Sequence, residues 1–170
     1  AVQAAAAAAC RELLEEAGLG IDSASLVHWA RWITPTALRR RFDTHFFVAM
    51  APPGQDVVIS AAEASEARWV PLGRHATGER SADFPITPPT AIVLREIAEA
   101  VASHGALDGL LGWARSRTVR TVLPKLTEGG IVVFPWDPLY VALTGGGVPW
   151  DEEAIAERAC WPTRLPVATQ

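Results

Sequence analysis

Residues 4–17 run through six consecutive alanines and then Cys-Arg-Glu-Leu-Leu-Glu-Glu-Ala, without proline, glycine or a β-branched residue. Alanine, leucine and glutamate are the strongest helix formers, so this stretch has little choice but to be helical. Gly18 follows where a left-handed helix-ending residue belongs. On that helix Glu12, Glu15 and Glu16 stand at i, i+3 and i+4, and side chains at that spacing share one face. Three carboxylates so placed repel one another and call for a cation. Hard divalent ions such as Mg²⁺ or Mn²⁺ take oxygen ligands and would supply it. A plain amphipathic helix with a solvated acidic face and a glycine cap has the same appearance, and these residues alone leave that reading open.

The rest of the chain alternates strands and helices. Residues 25–33 and 42–50 are expected as strands, ended by Thr34-Pro35 and Pro52-Pro53-Gly54. Residues 56–60 suggest a short edge strand, and Glu66–Leu72 a further strand closing on Pro71. A polar loop over 73–87 leads to Pro88-Pro89, which opens a helix to about Ser103 because proline is tolerated in a first turn. A second helix is expected from Leu107 to Thr118. After Val122 the texture changes: Ile131–Phe134 reads as a strand and residues 150–160 as a short acidic helix. Residues 1–121 are taken as the main domain and 122–170 as a C-terminal extension or linker region.

Bulk properties set limits on partners. The 170 residues are 49% hydrophobic and 20% charged, enough for a core without staples. The net charge is −4, so no basic field points to nucleic acid or a membrane surface. No stretch is long and apolar enough to span a bilayer. Cys10 and Cys160 match no zinc spacing, and two lone thiols fit a reducing cytoplasm. A homodimer is compatible with these properties.

Arg11-Glu12-Leu13-Leu14-Glu15-Glu16-Ala17-Gly18-Leu19 resembles the second half of the Nudix box: Arg-Glu, an aliphatic residue, any residue, Glu-Glu, any residue, Gly and an aliphatic residue. In the family pattern a glutamate stands eight residues before the arginine, and here that position is Gln3. The family's leading glycine would lie before Ala1. The chain is therefore expected to be N-terminally incomplete, lacking the strands that precede the box. Trp32-Ile33-Thr34-Pro35, Arg40–Phe47 and Phe134–Tyr140 resemble segments of the coenzyme A diphosphatase-like branch, and Glu63–Leu72 resembles the common Nudix segment in which acidic residues precede a Trp-Val-Pro strand. The resemblance covers roughly residues 3–140.

The resemblance implies an α/β fold, the Nudix α/β/α sandwich with a mixed sheet, and hydrolysis of a diphosphate linkage in a nucleoside diphosphate derivative. Coenzyme A or an acyl-CoA is the first substrate expectation, and ADP-ribose or a nucleotide sugar the second. Glu12, Glu15 and Glu16 would hold Mg²⁺ or Mn²⁺, with Glu12 also able to take a proton from water. Arg11 would hold the carboxylates in place through charge-assisted hydrogen bonds. Glu63 is a candidate further ligand or general base, against the plainer reading of a solvated loop glutamate; Glu66 is a weaker one. Arg39-Arg40-Arg41 could hold phosphates or simply form a solvated basic turn. His28 and His45 read as hydrogen-bonded structural histidines, and Trp29 and Trp32 as packing residues rather than a base-stacking surface. The competing reading is a non-catalytic Nudix-like ligand-binding domain. Gln3 leans towards it, and the three retained glutamates lean against it.

Overall fold

A computed structural model describes residues 2–58, 67, 69–72, 86–105, 107–147, 149–156, 158, 162 and 164–166. The chain is a mixed helix and sheet protein of the α/β kind. Helix α1 (Val2–Ala17) is followed by a 3-10 turn at Ser23–Ser25 and strands β1 (Val27–Ile33) and β2 (Asp43–Val48). Next come α2 (Pro88–His104), α3 (Leu107–Ser116) and the short strands β3 (Thr121–Val122), β4 (Lys125–Leu126) and β5 (Ile131–Val133). A 3-10 turn at Pro138–Ala142, helix α4 (Glu152–Ala156) and strand β6 (Arg164–Pro166) complete the order.

The element ends follow local chemistry. Two prolines stand in the first turn of α2, where a missing N–H costs nothing. Asp22 accepts a bond from the Ala24 N–H at 2.9 Å and starts the first 3-10 turn. Asp137 does the same for the second through the Leu139 N–H at 2.7 Å. Strand β1 lies between β2 and β3 and runs parallel to β3, with Arg31 opposite Thr121 and Trp32 opposite Val122. In the other sheet β5 lies between β4 and β6 and is antiparallel to both.

The chain divides into two compact units. The first holds Ala1–Ala30 and His45–Val119; the second holds Arg31–Thr44 and Arg120–Gln170. In the first, Trp29 is almost fully buried, its ring edge-on to Trp113 with centroids 5.9 Å apart. The Arg117 guanidinium lies 4.3 Å from the Trp29 ring centre and donates to the Trp29 carbonyl. The Trp29 indole N–H reaches Glu96 at 2.9 Å, so the buried indole has a polar partner. In the second unit Trp32, Phe134, Trp136 and Trp150 form a chain of ring contacts with centroids 4.8–5.8 Å apart. Trp29 and Trp32 are thus packing residues.

Two sequence expectations need correction. Ala67, Trp69, Val70 and Pro71 are not in a strand; Trp69 is 72% exposed and Val70 is exposed too. The Trp-Val pair has β propensity, but propensity without a buried face does not make a strand. Residues 56–58 also form no strand; the Val58 N–H instead donates to the Ala17 carbonyl at 2.9 Å, at the end of α1. The remaining positions of both expected strands, and most of the expected polar loop, lie outside the described residues. Among the described residues no helix is long and apolar enough to cross a membrane.

Candidate active site

Helix α1 buries one described side chain, Ala6, and leaves most of its C-terminal half in solvent. Arg11, Glu12, Glu15 and Glu16 are all exposed. The Arg11 guanidinium stands 3.8 Å from a carboxylate oxygen of Glu12 and 3.8 Å from one of Glu15. These are ion pairs. They are too long for the charged hydrogen bonds that the resemblance implies for Arg11. At more than half exposure, such pairs hold their partners only loosely. The carboxylates are therefore free to reorient.

The helix ends as its sequence requires. Gly18 has φ +67°, a conformation that L side chains adopt at a cost. Its N–H donates to Leu14 O at 3.1 Å, and the Leu19 N–H reaches Leu13 O at 3.4 Å. A Cβ at position 18 would also press on Val58, at 3.2 Å from its Cβ and 3.3 Å from its carbonyl oxygen. Next to it, the Gln55 amide bonds the Gly20 backbone in both directions, at 2.9 and 3.4 Å. Residues 55–58 are thus pinned to the end of α1. Glu63 and Glu66, further along that segment, lie outside the described residues.

The donor chemistry of Glu12, Glu15 and Glu16 suits a hard cation: three oxygen-donor groups on one solvated helix face. Their arrangement does not converge. Among the described residues no group of three or more His, Cys, Asp or Glu side chains is placed to hold a metal ion. Holding one here requires these exposed side chains to rotate towards a common point.

The other residues singled out by sequence fall elsewhere. Arg39, Arg40 and Arg41 form an exposed turn; Arg40 lies 5.1 Å from the Phe42 ring centre and Arg41 donates to Thr34 O at 3.2 Å. Cys10 is a free, half-buried thiol. His28 and His45 bond each other, ring nitrogen to ring nitrogen, at 3.0 Å. That pairing joins two strands and has no signal in spacing along the chain. Two charged groups of the second unit also escaped sequence reasoning. Lys125 is buried, and its ammonium donates to the carbonyls of Tyr140 and Leu143 at 3.0 and 2.9 Å. Asp137 is buried and takes two bonds from Arg164, at 2.6 and 3.0 Å. Neighbouring aspartate pushes the Arg164 guanidinium further up its already high range, by hydrogen bonding first and charge second. No family model matches the chain, and no curated protein or solved structure matches it either.

Proposed function

We propose that this chain is a metal-dependent hydrolase of the Nudix type, built on the α/β/α sandwich of that family, which cleaves a diphosphate linkage in a nucleoside diphosphate derivative. The observation that carries the reading is helix α1. Glu12, Glu15 and Glu16 stand on its solvated side, Arg11 is within ion-pair reach of two of them, and Gly18 turns the chain away with a positive φ. This is the residue order of the second half of the Nudix box. Bound Mg²⁺ or Mn²⁺ would neutralise phosphate oxygens and lower the pKa of water. Glu12, Glu15 and Glu16 would hold it, Arg11 would offset part of the negative charge of Glu12 and Glu15, and Glu63 would add a ligand or a base. Coenzyme A or an acyl-CoA is the first substrate proposed and ADP-ribose or a nucleotide sugar the second. Gln3, exposed on the same helix where the family pattern has a glutamate, favours the non-catalytic binding domain as the second reading.

The test is diphosphate hydrolysis of coenzyme A and of ADP-ribose across Mg²⁺ and Mn²⁺ titrations, for the chain and for Glu16→Gln. The swap keeps side-chain size and helix propensity while removing one negative charge. Turnover should fall about a hundredfold or more, the usual scale for losing one electrostatic contributor to a transition state. Faster turnover of ADP-ribose would reverse the substrate order. A variant with near-normal turnover at limiting Mg²⁺ would remove Glu16 from the site, and binding of either compound without turnover would favour the second reading.

A further inference from the structure

We propose that His28 on β1 and His45 on β2 form a two-histidine site for a borderline divalent transition metal, of the class of Ni²⁺, Cu²⁺ and Zn²⁺. The two coordinating nitrogens, His28 Nε2 and His45 Nδ1, face each other at 3.0 Å. Two nitrogens each about 2.0–2.1 Å from one ion stand about 3 Å apart at a right angle and about 3.4 Å apart at the tetrahedral angle. The observed separation therefore needs little change to accept an ion in square or octahedral geometry, which favours Cu²⁺ and Ni²⁺ over Zn²⁺. The rings are tilted by 35°, with centroids 5.0 Å apart, so they are not stacked face to face over one another's nitrogens.

The surroundings suit a neutral ligand pair. Phe47 packs on both imidazoles, with centroids 5.3 and 6.3 Å away, and walls off one side. Both histidines are only half-buried, so water can complete the coordination shell. Without metal, one proton lies between Nε2 and Nδ1. Metal uptake by the neutral pair moves that proton to a ring nitrogen on the far side, leaving His28 Nδ1 and His45 Nε2 protonated and the two facing nitrogens as the ligands. No net proton is lost from a pair that starts neutral. Imidazole nitrogens attract borderline metals and not Mg²⁺, which takes oxygen. The site is thus chemically distinct from the carboxylates of α1.

Titrate the tag-free chain with NiCl2 and with ZnCl2 by calorimetry, beside His28→Gln, His45→Gln and the double variant. Affinity for Ni²⁺ should exceed that for Zn²⁺, and each single change should weaken it by at least about tenfold, the loss seen even for groups one shell further out. In the unaltered chain, substoichiometric Ni²⁺ should broaden the ring-proton resonances of His28 and His45 first, a readout that needs no variant to fold. A large excess of Mg²⁺, and Glu16→Gln, should leave Ni²⁺ affinity unchanged; this holds whether or not the hydrolase reading stands. Unaltered affinity in the double variant, displacement of Ni²⁺ by Mg²⁺, or broadening confined to His75 or His104 would overturn the proposal.

Discussion

The charges of α1 and the charges around Tyr140 are handled in opposite ways. On α1, Arg11 and three glutamates stay in solvent, with ion pairs at 3.8 Å that lock nothing. In the second unit Lys125 and Asp137 are buried, and each has fixed partners: two carbonyls for the lysine, a guanidinium and a backbone N–H for the aspartate. Burying a charge is tolerable only when its hydrogen-bonding capacity is met. Those groups are committed to holding the turn at Pro138–Ala142. The α1 carboxylates hold up no part of the fold, which leaves them available for a ligand. The two regions should therefore respond to substitution along different axes, activity in one and stability in the other.

The largest effect expected is on α1. Glu16→Gln should lower turnover about a hundredfold or more while leaving the thermal unfolding midpoint where it was. A clear drop in that midpoint would mean that α1 depends on its charges, and the contrast would collapse. Gly147→Ala should do the reverse in the second unit. Gly147 has φ +105°, and a Cβ there would overlap the Tyr140 hydroxyl and crowd Leu123. Tyr140 is fully buried and its hydroxyl is tied to Leu123 O at 2.6 Å, so it has no easy retreat. Strain of this kind costs about 1–3 kcal/mol. Denaturant unfolding measures it, and Tyr140→Phe in the same chain should return part of the loss by removing the overlapping oxygen. Strict additivity of the two changes would show that the overlap is not the cause.

Asp137→Ala comes next. The capping bond to Leu139 alone is worth about 1 kcal/mol. Losing the two Arg164 bonds adds to that, so the unfolding midpoint should fall measurably. Asp137→Asn, which keeps a capping oxygen, should fall less. Equal losses for alanine and asparagine would place the effect in the ion pair and not in the cap.

Sequence reading reached the parts of the molecule that local chemistry decides. Helix α1 and its Gly18 end, the proline start of α2, and strands β1 and β2 were all legible, because each depends on neighbours within a few positions. Residues 31–44 belong with 120–170 through pairings such as Trp32 with Val122, and no local signal announces a partner ninety residues away. Lys125 was illegible for a related reason. Lysine is normally solvated, and nothing beside it in the chain reveals that the carbonyls of Tyr140 and Leu143 will surround its ammonium. Trp69 failed in the other direction, since a strand-forming residue stands exposed and no strand among the described residues receives it. The α1 residues were found by pattern; where Glu63 stands relative to them is a tertiary matter that pattern does not reach.

The smallest effect concerns a single proton. Tyr140 is the chain's one tyrosine, so its ionisation can be followed alone by near-ultraviolet absorbance. Burial raises its phenol above the ordinary 10.0, because the phenolate would lose its hydration. The neutral hydroxyl also donates to Leu123 O, a bond that the phenolate cannot make. The Lys125 ammonium, 4.3 Å from the ring centre, pulls the other way, but burial outweighs it. Below about pH 10 folded and unfolded chains both hold this proton, and the group does not affect stability. Above it the unfolded chain releases the proton first and binds fewer, so stability falls as pH rises towards the folded-state value. The native chain should titrate at higher pH than the same chain in denaturant, and Tyr140→Phe should flatten the alkaline loss of stability. Identical native and denatured titration curves would mean that the phenol is solvated, and the contrast between a buried second unit and a solvated α1 would fail at its most sensitive point.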